Sequence, residues 1–334
     1  MGSMNTSNKT QAKIHIIGGA GFVGTRLSRV LDEQGVSYRV FDKTLTGDGF
    51  CDVTNPETLS AMPSAEVVIN LAAEHRDDVS PRSLYDEVNV EGARNVCKYC
   101  RHEDIETIVF TSSVAVYGFA PEGTDETGGF NPFNDYGRTK MEAEAVYREW
   151  LAEKPANRSL VIVRPTVIFG EQNRGNVYNL LRQIAAGRFI MFGAGTNRKS
   201  MAYVQNIAEF LAFSAQFRPG EHLYNYVDKP DVDMNTLVAH CRSVLFGKSG
   251  VGLRLPGWLG VLVGYGFDML ATITHSKLPV SSIRVKKFMG TTAFTTSISE
   301  TGFSPSCSLA EGIERTLRHE FLEDHSGHKL FYSE

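Results

Sequence analysis

KIHIIGGAGFVGTRLSRVLDEQG, residues 13–35, decides how the rest of the chain is read. Lys13–Ile17 is a short apolar run of strand length, and TRLSRVLDEQG carries its apolar residues at helical spacing. Between them Gly18, Gly21 and Gly24 form G-x-x-G-x-x-G. Glycines there let the backbone turn tightly and approach a pyrophosphate, whose charge meets the start of the following helix. A glycine triplet alone is weak evidence, and its place between strand and helix gives it weight. Val36–Phe41 reads as the next strand and ends at Asp42, 24 positions past Gly18. A carboxylate there accepts from adenosine ribose hydroxyls and repels the extra phosphate of NADP, so NAD is the expected cofactor. Lys43, next door, pulls the other way.

Working outward, Val67–Leu71 is a buried strand followed by AAEHRDDVSP. Tyr85–His102 reads as a helix, Thr107–Ser112 as a strand and Tyr136–Lys154 as a long helix. Ser159–Val163 is another strand and leads into RPTVIFG. Strands alternating with helices predict an α/β fold with a Rossmann-type, doubly wound parallel sheet. After residue 170 the alternation loosens. Helix-like segments near 177–187 and 205–216 surround the loop GAGTNRKS, and His222–Val227 reads as one more strand of the first sheet. The expected division is a nucleotide-binding domain over 11–170, with 200–228 returning to it. A smaller, mixed α/β C-terminal substrate lobe takes 171–199 and 229–334.

Bulk properties close off other classes. The 334 residues are 42% apolar and 22% charged, a globular composition with length for a sizeable core. A formal charge of −4 offers no basic field to nucleic acid. Five cysteines, an odd number, make no disulfide framework. Cys97 and Cys100 form a lone CxxC without the second pair or histidines that complete a zinc site. They read as packed thiols, no metal is expected, and a reducing cytoplasm fits. Met-Gly-Ser-Met at the start reads as an expression remnant, and the polar Asn5–Lys13 stretch offers no signal peptide.

FTSSVAVYG puts Ser112 and Ser113 at the C-terminal end of a strand, where doubly wound sheets hold ligands. NDYGRTK follows, with Tyr136 and Lys140 four apart at the start of a helix and so on one face. Of twelve tyrosines only Tyr136 has a lysine four residues on. Oxidising a secondary alcohol needs a base for the hydroxyl proton while hydride leaves to NAD. Free tyrosine titrates near pH ~10 and is a poor base at neutrality. A nearby ammonium and the positive nicotinamide both favour the phenolate. Ser113 is placed to hydrogen-bond the same substrate oxygen.

GGAGFVG, Asp42, NLAA at 70–73, FTSSVAVYG, YGRTK and RPTVIFG together resemble the extended short-chain dehydrogenase/reductase family. More narrowly they are similar to its NAD-dependent sugar epimerases and dehydratases, over nearly the whole chain. The resemblance implies a catalytic triad of Ser113, Tyr136 and Lys140. It implies NAD contacts from Gly18, Gly21, Phe22, Val23, Gly24, Asp42, Asp52, Val53, Leu71, Ala72, Ala73, Asn89, Tyr136, Lys140 and Pro165. It also implies a homodimer built on the helices near 85–102 and 136–153. The family's dehydratases add an acidic pair beside the serine, and here Val114 and Ala115 stand there, which disfavours dehydration. The triad does not separate a C4-epimerase from a 4-keto sugar reductase. An idle NAD-binding scaffold is the non-enzyme alternative, and the intact triad argues against it.

The second lobe narrows the substrate. Nucleotide-sugar 4-epimerases usually carry a late R-x-G-D stretch and acids after the Y-V segment. Here the segments read SMAYVQN and SSIRVKKFMGTTAF, with Gln205 and Asn206 in place of the acids. Substrate contacts are expected from Ser112, Ser113, Arg174, Asn176, Arg198, Lys199, Arg284 and Lys287, the cations serving a diphosphate. GWLGVLVGYGFDMLATI, residues 257–273, holds one charge and is followed by His275, Lys277, Arg284, Lys286 and Lys287. An apolar segment with basic flanks can lie in a membrane interface, and it can equally be a core helix. An interfacial position suits a sugar whose diphosphate is attached to a lipid. LAAEHRDDVSP, FGEQNRGNVYNLL, YNYVDKPD and VSSIRVKKF resemble the branch of the family that epimerises N-acetylglucosamine on undecaprenyl diphosphate. The expectation is therefore a C4-epimerase of a lipid-linked N-acetylhexosamine for O-antigen synthesis, with a UDP-linked sugar as the alternative. It would be cytoplasmic and peripheral on the bacterial inner membrane.

Overall fold

The computed structural model describes residues 13–76, 79–262, 265, 290–325 and 327–332. It divides into two compact units. The first runs to Gly118 and adds Phe130–Arg164 and Ile207–Tyr224. The second takes Phe119–Gly129, Pro165–Asn206 and the chain from Asn225 onward.

The first unit is built on six strands, β1 (Ile14–Ile17), β2 (Tyr38–Phe41), β3 (Val67–Asn70), β4 (Thr107–Thr111), β5 (Ser159–Pro165) and β6 (Gly220–Tyr226). Their order is β6-β5-β4-β3-β1-β2, and the pairs β2–β1, β1–β3, β3–β4 and β4–β5 are parallel. β1, β3 and β5 are buried along their whole length, which is why they read as mostly apolar rather than alternating. The chain steps from β1 to β2 on one side, then returns to lay β3 on the other. That reversal opens a crevice past the carboxyl ends of β1 and β3, where such sheets bind ligands.

Three helices matter for the site, α1 (Phe22–Glu33), α2 (Gly92–His102) and α3 (Asp135–Glu153). A π-wound stretch, Asp86–Glu91, leads into α2, and buried Asn89 sits on it. The helical periodicity over 85–102 is real, but this widened turn is invisible to a 3.6-residue count. The core between sheet and helices gathers Phe41, Phe110, Tyr147, Trp150 and Ile162 with the thiols of Cys97 and Cys100. All five cysteines are buried and free.

In the second unit Val167–Phe169 pairs in parallel with Met201–Tyr203, and Arg198–Lys199 pairs antiparallel with Val232–Asp233. Its last helix, α4, is Leu309–Phe321, capped by Ser308 Oγ accepting from the Glu311 N–H. The segment Phe119–Gly129 leaves the first unit because Glu126 fixes it in the second. The Glu126 carboxylate accepts from the backbone N–H groups of Asn225 and Ser297, at 2.9 and 3.0 Å. Among the described residues no helix is long and apolar enough to cross a membrane.

Candidate active site

The loop after β1 is shaped by contacts that leave no room for side chains. Gly18 has φ +77°, and a Cβ there would lie 2.6 Å from the backbone N of Ala72. The loops past β1 and β3 thus meet backbone to backbone. A Cβ on Gly24 would lie 2.4 Å from Gly19 Cα, so the first turn of α1 packs directly on the loop. Gly21 is the N-cap of α1, with no side-chain cap and no acidic residue in the first turn, which holds Phe22 and Val23. No capping side chain and no acid of the first turn therefore offsets the positive end of the helix, which suits an external anion. Asp42 flanks them: its Oδ2 accepts from the Ala20 N–H at 3.2 Å, and its Oδ1 accepts from Thr44 N–H and Oγ1–H at 2.9 and 2.8 Å. An uncapped helix start with a fixed carboxylate beside it fits the pyrophosphate and adenosine ribose of a dinucleotide.

The other residues expected near the cofactor divide by what they touch. Leu71, Ala72 and Ala73 are half-buried just past β3. Asp52 Oδ1 accepts from both the N–H and the hydroxyl of Thr54. Val53 is buried beneath Gly92, where a Cβ would come within 2.8 Å of it. Pro165 is buried at the end of β5. Asn89 has its side chain committed within the protein. Its amide donates to Glu74 O and Thr139 Oγ1, both at 2.9 Å, and its carbonyl accepts from Glu74 N–H. It joins the segment beyond β3 to α3.

The start of α3 carries two of the three residues expected to react. Asn134 caps the helix by accepting from the Gly137 N–H at 2.9 Å, which places Tyr136 in the first turn and Lys140 one turn on. Gly137 is required because a Cβ would lie 2.5 Å from Ala115 O in the turn Val114–Tyr117 that follows β4. Ser113 caps that turn, accepting from the Ala115 N–H at 3.1 Å, and its hydroxyl lies near enough to the Tyr136 phenol to act on its titration. Ser113, Tyr136 and Lys140 are thus brought together, with Lys140 Nζ 6.0 Å from the Tyr136 ring centre.

Their electrostatics differ from the sequence expectation. Burial pushes the Tyr136 phenol up to about 12, and the nearby Ser113 hydroxyl only opposes this. Burial also pushes Lys140 down to about 7, with Glu144 acting the other way. Lys140 is 2% exposed, and its Nζ donates to Thr111 O at 2.8 Å. Burial outweighs Ser113 at this phenol, and a positive charge brought beside it would favour the phenolate.

A buried ion-pair network behind this group was not anticipated. Glu144, one turn past Lys140, is fully buried. It accepts from Ser112 Oγ at 2.6 Å, from Arg164 Nε and Nη2 at 2.8 and 2.6 Å, and from Arg148 Nη1 at 3.2 Å. Arg164 in turn donates to Tyr117 Oη at 2.6 Å. Ser112, expected as a substrate contact, is instead 2% exposed and bonded into this scaffold. The only sequence signal was a carboxylate four residues past the lysine.

The remaining expected substrate contacts lie in the second unit. Arg174 pairs with Glu320 at 2.8 Å and lies 4.0 Å from the Tyr178 ring centre, so its guanidinium already has protein partners. Asn176 is exposed at the start of the helix Asn176–Ala185. Arg198 is exposed and Lys199 donates to Thr292 Oγ1 at 3.2 Å. Arg284 and Lys287, with most of 257–273 and its basic flank, lie outside the described residues.

The NAD dependent epimerase/dehydratase family matches residues 14–226, and the chain belongs to this family. NAD is the family's cofactor, in keeping with the loop and carboxylate described above. Over 331 residues the chain is 49% identical to the N-acetyl-α-D-glucosaminyl-diphospho-ditrans,octacis-undecaprenol 4-epimerase of Escherichia coli O157:H7, covering 96% of this chain and 98% of that one. It is 28% identical to a UDP-glucose 4-epimerase of Vibrio cholerae, over 93% and 96% of the two chains. Among solved structures, the Bacillus cereus UDP-N-acetylglucosamine 4-epimerase superposes with a TM-score of 0.71 at 16% identity, over 94% of this chain and 98% of the other. MoeE5 in complex with UDP-glucose and NAD gives 0.70 at 21%, over 92% and 98%. At those identities the superpositions speak for the fold alone.

Proposed function

We propose that this protein is an NAD-dependent C4-epimerase that interconverts N-acetylglucosamine and N-acetylgalactosamine carried through a diphosphate on undecaprenol. The observation that carries the reading is the end-to-end 49% identity to the E. coli enzyme of that activity. The grouping of Ser113, Tyr136 and Lys140 supports it chemically. In this reading the first unit binds the dinucleotide through Gly18, Gly21, Gly24 and Asp42, and the second holds the carrier end of the substrate. Bound NAD supplies the acceptor and donor of hydride at C4 and, when oxidised, a positive charge beside the phenol. Tyr136 takes the proton of the sugar 4-hydroxyl and later returns it. Ser113 donates to the same oxygen and holds it in line. Lys140, one turn past Tyr136 and held by Thr111 O, would tune the phenol and hold the cofactor's ribose.

The proposal extends to location and assembly. Leu253, Trp258, Leu262 and Tyr265 are 59, 63, 57 and 51% exposed, apolar side chains suited to a membrane interface. We read the protein as peripheral on the cytoplasmic face of a bacterial inner membrane, serving O-antigen synthesis. A homodimer through the helices near 85–102 and 136–153 follows from the family resemblance.

Isotope retention tests the chemistry independently of the carrier. Substrate deuterated at C4 is incubated with protein in ordinary water and without added cofactor. Both the gluco and galacto sugars are expected to keep the deuterium on C4. Loss of label to solvent contradicts transfer within a closed site, and a need for added reduced cofactor points to a 4-keto reductase.

A further inference from the structure

Three histidines meet at the end of the second unit, none of them used above for catalysis. His319 lies in the last turn of α4, while His325 and His328 lie in the segment that follows. A turn brings the latter two together: the His328 N–H donates to His325 O at 3.2 Å, and Gly327 has φ +93°, a conformation that favours glycine. The His319 and His325 rings stack with centres 3.8 Å apart, and those of His325 and His328 are 5.0 Å apart. One nitrogen from each of the three lies within 4.8 Å of the other two.

We propose that His319, His325 and His328 form a binding site for a divalent transition-metal ion, with Zn²⁺ as the best-suited occupant. Zinc–nitrogen bonds of about 2.0–2.1 Å in tetrahedral geometry place their donors about 3.3 Å apart. The three nitrogens therefore need to close by at most about 1.5 Å, within reach of side-chain rotation on an exposed turn. An all-imidazole set selects Zn²⁺, Co²⁺, Ni²⁺ or Cu²⁺ over the hard ions Mg²⁺ and Ca²⁺. Glu323 Oε2 lies 2.8 Å from His325 Nε2, the kind of carboxylate partner that orients a ligating imidazole through its second nitrogen. Three protein ligands leave a fourth position open to water.

The site adjoins the clamp on the loop that bears Arg174. Glu320, next to His319, accepts from the Gln172 N–H at 2.6 Å and pairs with Arg174. Phe331, just past His328, donates to Gln172 O at 2.9 Å and accepts from the Arg174 N–H at 2.7 Å. A metal ion joining His319 to the turn ties together the two arms that hold this loop.

The full-length protein, stripped with a chelator, is titrated with Zn²⁺ alone against a chromogenic zinc indicator and with Co²⁺ alone by visible absorption. One equivalent of Zn²⁺ is expected, with a visible Co²⁺ band from nitrogen ligands. His325→Gln and His328→Gln should each weaken binding by at least about tenfold, while His102→Gln, in the first unit, leaves it unchanged. Metal-free melting of the two turn variants should match the parent, because both side chains lie outside helices and strands. Binding well below one equivalent, or affinity unchanged in the His325→Gln/His328→Gln double variant, overturns the proposal. Should a variant melt early without metal, the parent's Co²⁺ spectrum decides, and absence of the band overturns it.

Discussion

Tyr136→Phe should lower kcat for epimerisation by about 10²–10⁴-fold while leaving the fold intact. The substitution removes one oxygen atom. The helix cap at Asn134 and the packing of Gly137 on Ala115 do not involve the phenol hydroxyl. Removing it therefore deletes the proposed proton acceptor and little of the scaffold. Steady-state assay beside thermal melting checks this. A kcat within tenfold of the parent would mean that another group moves the proton.

Glu144→Ala should cost about 3–5 kcal/mol of folding stability, because it strands the Arg164 guanidinium, buried and without its main partner. A domain's whole stability is about 5–15 kcal/mol, so a large part of the protein should be unfolded or unfold at mild denaturant. Glu144→Gln keeps hydrogen-bond acceptance without the charge and should lose less. The network links the end of β4 through Ser112, α3 through Glu144 and the end of β5 through Arg164. These are the elements that present Ser113, Tyr136 and Lys140, so residual folded Glu144→Gln protein should also show reduced kcat. Urea unfolding of the three proteins measures the difference, and a loss below about 1 kcal/mol for the alanine variant contradicts the assigned role.

What could be read from the sequence was local. Strand, G-x-x-G-x-x-G and helix lie within 23 residues. Each part constrains the next through backbone geometry, and Gly18 and Gly24 prove to be sites where a Cβ has no space. Tyr136 and Lys140 were legible because four residues on a helix is one turn, and Ser113 because it ends an apolar strand. The remainder depends on meetings across the fold. Glu144 and Arg164 stand 20 residues apart on elements of different period, and nothing in either neighbourhood announces a bidentate pair. Ser112 and Ser113 alternate across the strand end, so one faces the scaffold and the other Tyr136, a choice the letters alone leave open. Lys140 looked like a source of positive charge, but only its burial shows how far the ammonium is disfavoured. The three-histidine cluster escaped notice because its members span a helix end and a turn, at spacings unlike those of zinc modules.

The carrier of the sugar is the most consequential point to measure. The protein, with no added cofactor, is given N-acetylglucosamine on undecaprenyl diphosphate or on UDP, and gluco and galacto products are resolved. Conversion of the lipid-linked sugar, with the nucleotide sugar left unchanged, is the expected result. Conversion of UDP-N-acetylglucosamine at an equal or higher rate contradicts the lipid-carrier assignment, and no conversion of either contradicts epimerisation itself.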